Sequence, residues 1–194
     1  MRIPHVIRCL LLSSLFWGVC GLHAEKADRD KPLKIEADKL DYDDLQQLSI
    51  FLGKVSLTKG SIDMRGDRLE VRQDPDGYQY GLLTPAPGAR STYKQKRDIQ
   101  NESVEGIAQR IEYNGREDKI ILTGNAELRR YRNGAVSDEM SGQRIVYENL
   151  TDRFSIDGKN PTTPNSNLNA STPANPKSRV RAILSPQKPL EPKP

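Results

Sequence analysis

The chain has 194 residues, 35% of them hydrophobic and 29% charged, with a formal net charge of +4. That is thin material for a closed globular core, but adequate for sheet with one wet face. Lys and Arg alternate with Asp and Glu instead of gathering into the basic stripe of a nucleic-acid binder, so no polyanionic partner is expected.

Residues 1–24 have the make-up of a secretory signal peptide. Arg2, His5 and Arg8 lead, an apolar run from Cys9 to Val19 follows, and Leu22-His23-Ala24 precedes a charged stretch. The apolar run is short for a bilayer span. Cleavage after Ala24 removes Arg2 and Arg8, taking the net charge from +4 to +2. It also removes both cysteines, both histidines and Trp17. The remaining chain then has no disulfide, no thiol nucleophile, no imidazole base and no ordinary zinc or copper site. No cofactor is expected, and no enzymatic activity.

Residues 25–31 read as a short disordered N-terminus. Leu33-Lys34-Ile35-Glu36-Ala37 alternates as a strand. The apolar parity then flips at Leu40 and Tyr42, and flips again between Ala108 and Ile111, as at a β-bulge or corner. Asp41, Asp43 and Asp44 lack the glycine and terminal Glu of a calcium loop and read as a solvated turn. Gly53 and Gly124 are expected to open two matching strands. Turns are expected at Lys59-Gly60, Asp74-Pro75-Asp76-Gly77, Asn114-Gly115 and Asn133-Gly134. The stretch 82–100, with Pro85, Pro87 and Gly88, reads as a loop around one short strand, and Lys119 as part of an exposed turn. Phe154-Ser155-Ile156 reads as a strand. Residues 159–177 are a Pro/Asn/Ser/Thr-rich flexible insertion, 178–187 hold a last strand at Val180 to Leu184, and 188–194 form a disordered tail.

A six-residue phrase recurs four times: a small residue, Asp or Gln, a basic residue, Leu or Ile, any residue, then Tyr or Val. It begins at Ala37, Gly66, Ala108 and Gly142. Self-similarity of this kind signals supersecondary units stacked on one continuous core. The apolar positions Leu33, Ile35, Ile62, Met64, Leu69, Val71, Ile111, Tyr113, Leu122, Leu128, Ile145 and Tyr147 are expected to line one side of a folded sheet. They suit either a packed core or a slot for acyl chains, which contribute about 0.8 kcal/mol per buried CH₂. A packed scaffold docking partners only by its edges, and a carboxylate-based hydrolase of envelope glycans, are the competing readings.

Pro32 to Asp38, Gly53-Lys54-Val55, Thr58-Lys59-Gly60 and Gly66-Asp67-Arg68-Leu69 together resemble the OstA-like family. So do Val104-Glu105-Gly106, Leu122 to Ala126 and the phrase at Gly142, and the similarity covers 32–158 with a last strand near Arg179 to Gln187. The resemblance implies an all-β fold, an open, twisted antiparallel β-jellyroll built from repeated strand units. It implies a periplasmic, non-enzymatic carrier that binds lipopolysaccharide through the acyl chains of lipid A and bridges inner and outer membranes. Its implied partners are a head-to-tail copy of itself, an LptC-like inner-membrane protein and an LptD-like outer-membrane protein. Leu33, Ile35 and Tyr113 correspond to the family's lipid contacts. Leu33 and Ile35 at one end, and Val180, Ala182 and Leu184 at the other, are the edge strands expected to pair between protomers.

Overall fold

A computed structural model describes residues 28, 31–97, 101–158 and 179–185. The expected signal peptide, the insertion at 159–177 and the tail at 188–194 lie outside the described residues. The strands are β1 (Leu33–Glu36), β2 (Lys39–Asp43), β3 (Leu48–Lys59), β4 (Ile62–Gln73), β5 (Gln79–Thr84) and β6 (Ser91–Lys96). They continue with β7 (Glu102–Ala108), β8 (Arg110–Asn114), β9 (Lys119–Arg132), β10 (Ala135–Glu148), β11 (Arg153–Asp157) and β12 (Arg181–Leu184). Every pairing is antiparallel, within one 12-stranded sheet.

The four long strands β3, β4, β9 and β10 change partners halfway, and this folds the sheet in two. One half-sheet runs β1, the end of β3, the start of β4, β6, β7, the end of β9, the start of β10 and β12. The other runs β2, the start of β3, the end of β4, β5, β8, the start of β9, the end of β10 and β11.

The recurring phrase encodes the crease between them. Gly53 and Lys54 together oppose the single residue Asp67, and Gly124 with Asn125 oppose Gln143; both are two-for-one bulges. The backbone repeats too: φ is +79° and +47° at Gly53 and Lys54, and +83° and +46° at Gly124 and Asn125. At the neighbouring break, the Asp38 N–H donates to the Gly53 carbonyl, and the Gln109 N–H to the Gly124 carbonyl, both at 3.0 Å. Gly53 and Gly124 therefore do not open strands, as their sequence suggested. They kink β3 and β9 in mid-course, which is how the apolar parity flips without the strand ending.

At Gly124 a Cβ would lie 2.9 Å from the Cβ of Gln109, in a backbone conformation that L residues avoid. Gly124→Ala is expected to cost about 1–3 kcal/mol, read as a lower midpoint in urea unfolding. An unchanged midpoint would contradict a rigid crease at this position.

The turns follow local chemistry. Asn133 (φ +51°) and Gly134 (φ +79°) supply the left-handed pair of a two-residue hairpin. Asp74 Oδ1 accepts the N–H groups of Asp76 and Tyr78 at 3.0 and 2.9 Å, and Asn114 Oδ1 accepts those of Arg116 and Glu117. Two other expectations are corrected and one is refined. The one short strand expected within 82–100 is β6, and the stretch also takes in the last residues of β5, with Pro85 and Pro87 in the connection between them rather than in either ladder. Lys119 begins β9 and pairs with Glu117 at 3.0 Å and Glu148 at 3.7 Å, so it is not in an exposed turn. Within 25–31, Asp28 is tied down: its carboxylate accepts from Ser61 N (2.7 Å), Ser61 Oγ (2.6 Å) and Gln95 Nε2 (3.1 Å).

Candidate functional site

The two half-sheets face each other across a shared apolar interior, and strand register aligns that interior into rows. One row crosses the second half-sheet: Leu40, Phe51, Leu69, Leu83, Ile111, Leu122, Ile145 and Ile156, each opposite the next. Beside it Val71, Gly81, Tyr113, Ile120, Tyr147 and Phe154 form a second row. The first half-sheet answers with Ile35, Leu57, Met64, Tyr93, Gly106, Leu128, Met140 and Ala182. Period-two alternation puts each of these on one face, and the crease keeps both faces turned inward.

The positions chosen from sequence all fall on these surfaces. Leu33, Ile35, Ile62 and Met64 belong to the first half-sheet, and Leu69, Val71, Ile111, Tyr113, Leu122, Ile145 and Tyr147 to the second. The buried members join one core cluster, against which Leu33, Ile35, Phe51, Phe154 and Ile156 pack. Leu83, Tyr93, Ile120 and Met140 belong to it too, and sequence reasoning missed them. Each fully buried side chain of this size stabilises the fold by about 1.5–3 kcal/mol. Among the described residues the middle of the interior is filled by its own side chains.

The rows run out uncovered at their ends. On β2, Leu40 and Tyr42 are 53% and 57% exposed, and on β12 Leu184 is 69% exposed. β1 pairs only with β3, and β12 only with β10, among the described residues. Val180 lies just before β12, beside an open cleft of about 590 Å³ that Ala126, Gly142 and Arg181 also line.

Charged residues close the rim opposite the crease. Arg97, between β6 and β7, pairs through Nη1 with Glu102 and through Nη2 with Asp152, in the β10–β11 turn of the facing half-sheet. Arg132 Nε also reaches Glu102, at 2.6 Å. Arg130 pairs with Asp138 at 3.2 Å, and its guanidinium lies 5.1 Å from the Phe154 ring centroid. Burial, with the charge of Arg97 adding to it, holds the Arg130 guanidinium below its ordinary pKa. The Tyr147 and Phe154 rings stack directly behind, 4.4 Å between centroids. These residues had a signal in the sequence: Glu102, Arg130 and Asp138 occupy the same parity as Val104, Leu128 and Met140. Among the described residues, no three His, Cys, Asp or Glu side chains converge as a metal site would require.

Comparison with known proteins follows the same lines. The sequence profile of the LptA/(LptD N-terminal domain) LPS transport protein family matches residues 34–153. The chain is 31% identical over 160 residues to the lipopolysaccharide export system protein LptA of Escherichia coli K12, covering 81% of this chain and 83% of that one. It is 24% identical over 162 residues to the lipopolysaccharide export system protein LptH of Pseudomonas aeruginosa, covering 84% and 83%. The crystal structure of LptH, described as the LptA-homologous periplasmic component of the lipopolysaccharide transport device, superposes with a TM-score of 0.66 at 21% identity. That match covers 82% of this chain and 99% of the other.

Proposed function

The chain belongs to the LptA/(LptD N-terminal domain) family of lipopolysaccharide transport proteins, and from that membership we propose how it takes part in transport. It is a periplasmic, non-enzymatic carrier whose interior holds the acyl chains of lipid A between the two half-sheets. The observation that carries this reading is the row from Leu40 to Ile156, which crosses the whole half-sheet and emerges uncovered at Leu40. A core that served only packing has no use for apolar rows continued past their cover. Stacking a second copy head to tail, β12 of one against β1 of the next, continues the rows from protomer to protomer and gives each exposed edge a partner. An LptC-like protein at one end and an LptD-like protein at the other complete a path between the membranes.

Ile35 is the position to test. It sits on edge strand β1, partly buried against the core, so a charge there reaches the acyl path while the central packing stays intact. Tyr113 is less suitable for the same substitution, since it is buried and a charge would strain the fold itself. Ile35→Asp is expected to weaken lipopolysaccharide binding by about tenfold or more, because a carboxylate facing acyl chains loses over 1.4 kcal/mol, with the circular dichroism spectrum unchanged. The filled interior favours a second reading, a scaffold that docks only by its edges. Equal binding by folded Ile35→Asp protein would put that scaffold first.

A further inference from the structure

We propose that Arg97 recognises a phosphate of the transported amphiphile at the rim of the interior, and that Asp152 is its built-in competitor. This rests on the acyl-chain reading above and adds the group that selects the headgroup. The side chain of Arg97 is only 4% exposed, and its two carboxylate partners differ sharply. Glu102 is 2% exposed and is held a second time by Arg132, so it is a fixed anchor. Asp152 is 43% exposed, sits in a turn at φ +55°, and also accepts from the Tyr147 hydroxyl at 3.1 Å.

Among the described residues, the buried Nε–H groups of both Arg97 and Arg130 find no acceptor. Orphan donors of this kind are costly to bury and favour a ligand rich in acceptor oxygens. A phosphate monoester carries about −1.5 to −2 charges and three acceptor oxygens, against one charge on a carboxylate. The guanidinium fork fits either, which lets the phosphate replace Asp152 without rebuilding the site. Once Asp152 leaves, Arg97, Arg130 and Arg132 keep Glu102 and Asp138 as carboxylate partners among the described residues, three cations against two anions at the rim. Immediately behind lie the stacked Tyr147 and Phe154 rings. Charge at the rim with apolar rows behind it is the polarity of a phosphorylated lipid entering chains first. The Arg97–Asp152 pair also joins the two half-sheets, so its exchange for phosphate frees them to part.

The test measures binding of lipid A, of dephosphorylated lipid A and of inorganic phosphate alone to the full chain and to two variants. The wild-type protein is expected to prefer the phosphorylated lipid by about tenfold. Asp152→Asn, at a half-exposed turn position, raises affinity for the phosphorylated form several-fold and leaves the dephosphorylated form unchanged. Arg97→Lys keeps a charge against Glu102 but loses the fork, and is expected to bind both lipids alike. Should Arg97→Lys fail to fold, the Asp152→Asn comparison decides alone. Equal binding of the two lipids by wild-type protein, or an unchanged preference in Asp152→Asn, overturns the proposal. Binding of inorganic phosphate with no preference between the lipids overturns its assignment to a lipid headgroup. Failure of wild-type protein to bind either lipid sinks the acyl-chain reading itself.

Discussion

Glu102→Ala is expected to destabilise the protein by about 3–5 kcal/mol. Glu102 is the acceptor for two guanidiniums, Arg97 and Arg132, and its side chain is almost wholly closed off from water. Its own carbonyl accepts the Arg97 N–H at 2.9 Å, so the start of β7 and the end of β6 are tied at one point. Among the described residues, removing the carboxylate leaves Arg97 buried with a single, half-exposed partner, and Arg130 nearby already suffers from that charge. Against a typical domain stability of about 5–15 kcal/mol, the loss leaves little in reserve. Urea unfolding of the folded fraction measures it. A loss under about 1 kcal/mol would mean that water reaches Arg97 and that the rim is not closed.

Leu122→Ala is expected to destabilise by about 2–5 kcal/mol. Leu122 has no exposed surface and sits between Ile111 and Ile145 in the row that spans the second half-sheet. It also interlocks with the opposite half-sheet, since a Cβ added at Gly106 would overlap Leu122 Cδ2. Truncation therefore opens a gap between the half-sheets instead of within one of them. Leu122→Met, which keeps the volume, is expected to lose less than about 1.5 kcal/mol. Equal losses for the two variants would show that the facing half-sheets are not packed through this residue.

Much of this architecture was legible in the sequence because its signals are local. Alternation placed Leu69, Ile111, Leu122 and Ile145 on one face, and the turns at Asp74 to Gly77 and at Asn133-Gly134 read directly from residue chemistry. The recurring phrase was visible as a repeat, while its meaning was not. Gly53 and Gly124 look like strand openers until the partner strands show two residues opposing one. The place of β6 within 82–100 was not legible, because Ser91-Thr92-Tyr93-Lys94-Gln95-Lys96 is polar at five of six positions, and only Tyr93 advertises an inward face. The rim was hidden for a different reason. Arg97 and Asp152 are far apart in sequence, and each looks like one more solvated charge until the crease brings the half-sheets together. Its one local trace was charge on an apolar parity, at Glu102, Arg130 and Asp138.

The claim that the interior carries acyl chains is tested most directly by photocrosslinking to lipopolysaccharide. A photoreactive aromatic residue replaces Ile35 on the edge strand or Tyr113 in the second row, and Thr92 serves as the outward-facing control beside Tyr93. Adducts at Ile35 and Tyr113, and none at Thr92, are the predicted result. Folded protein that yields no adduct at either inward position, or equal adducts at Thr92, would contradict an acyl-chain path between the half-sheets.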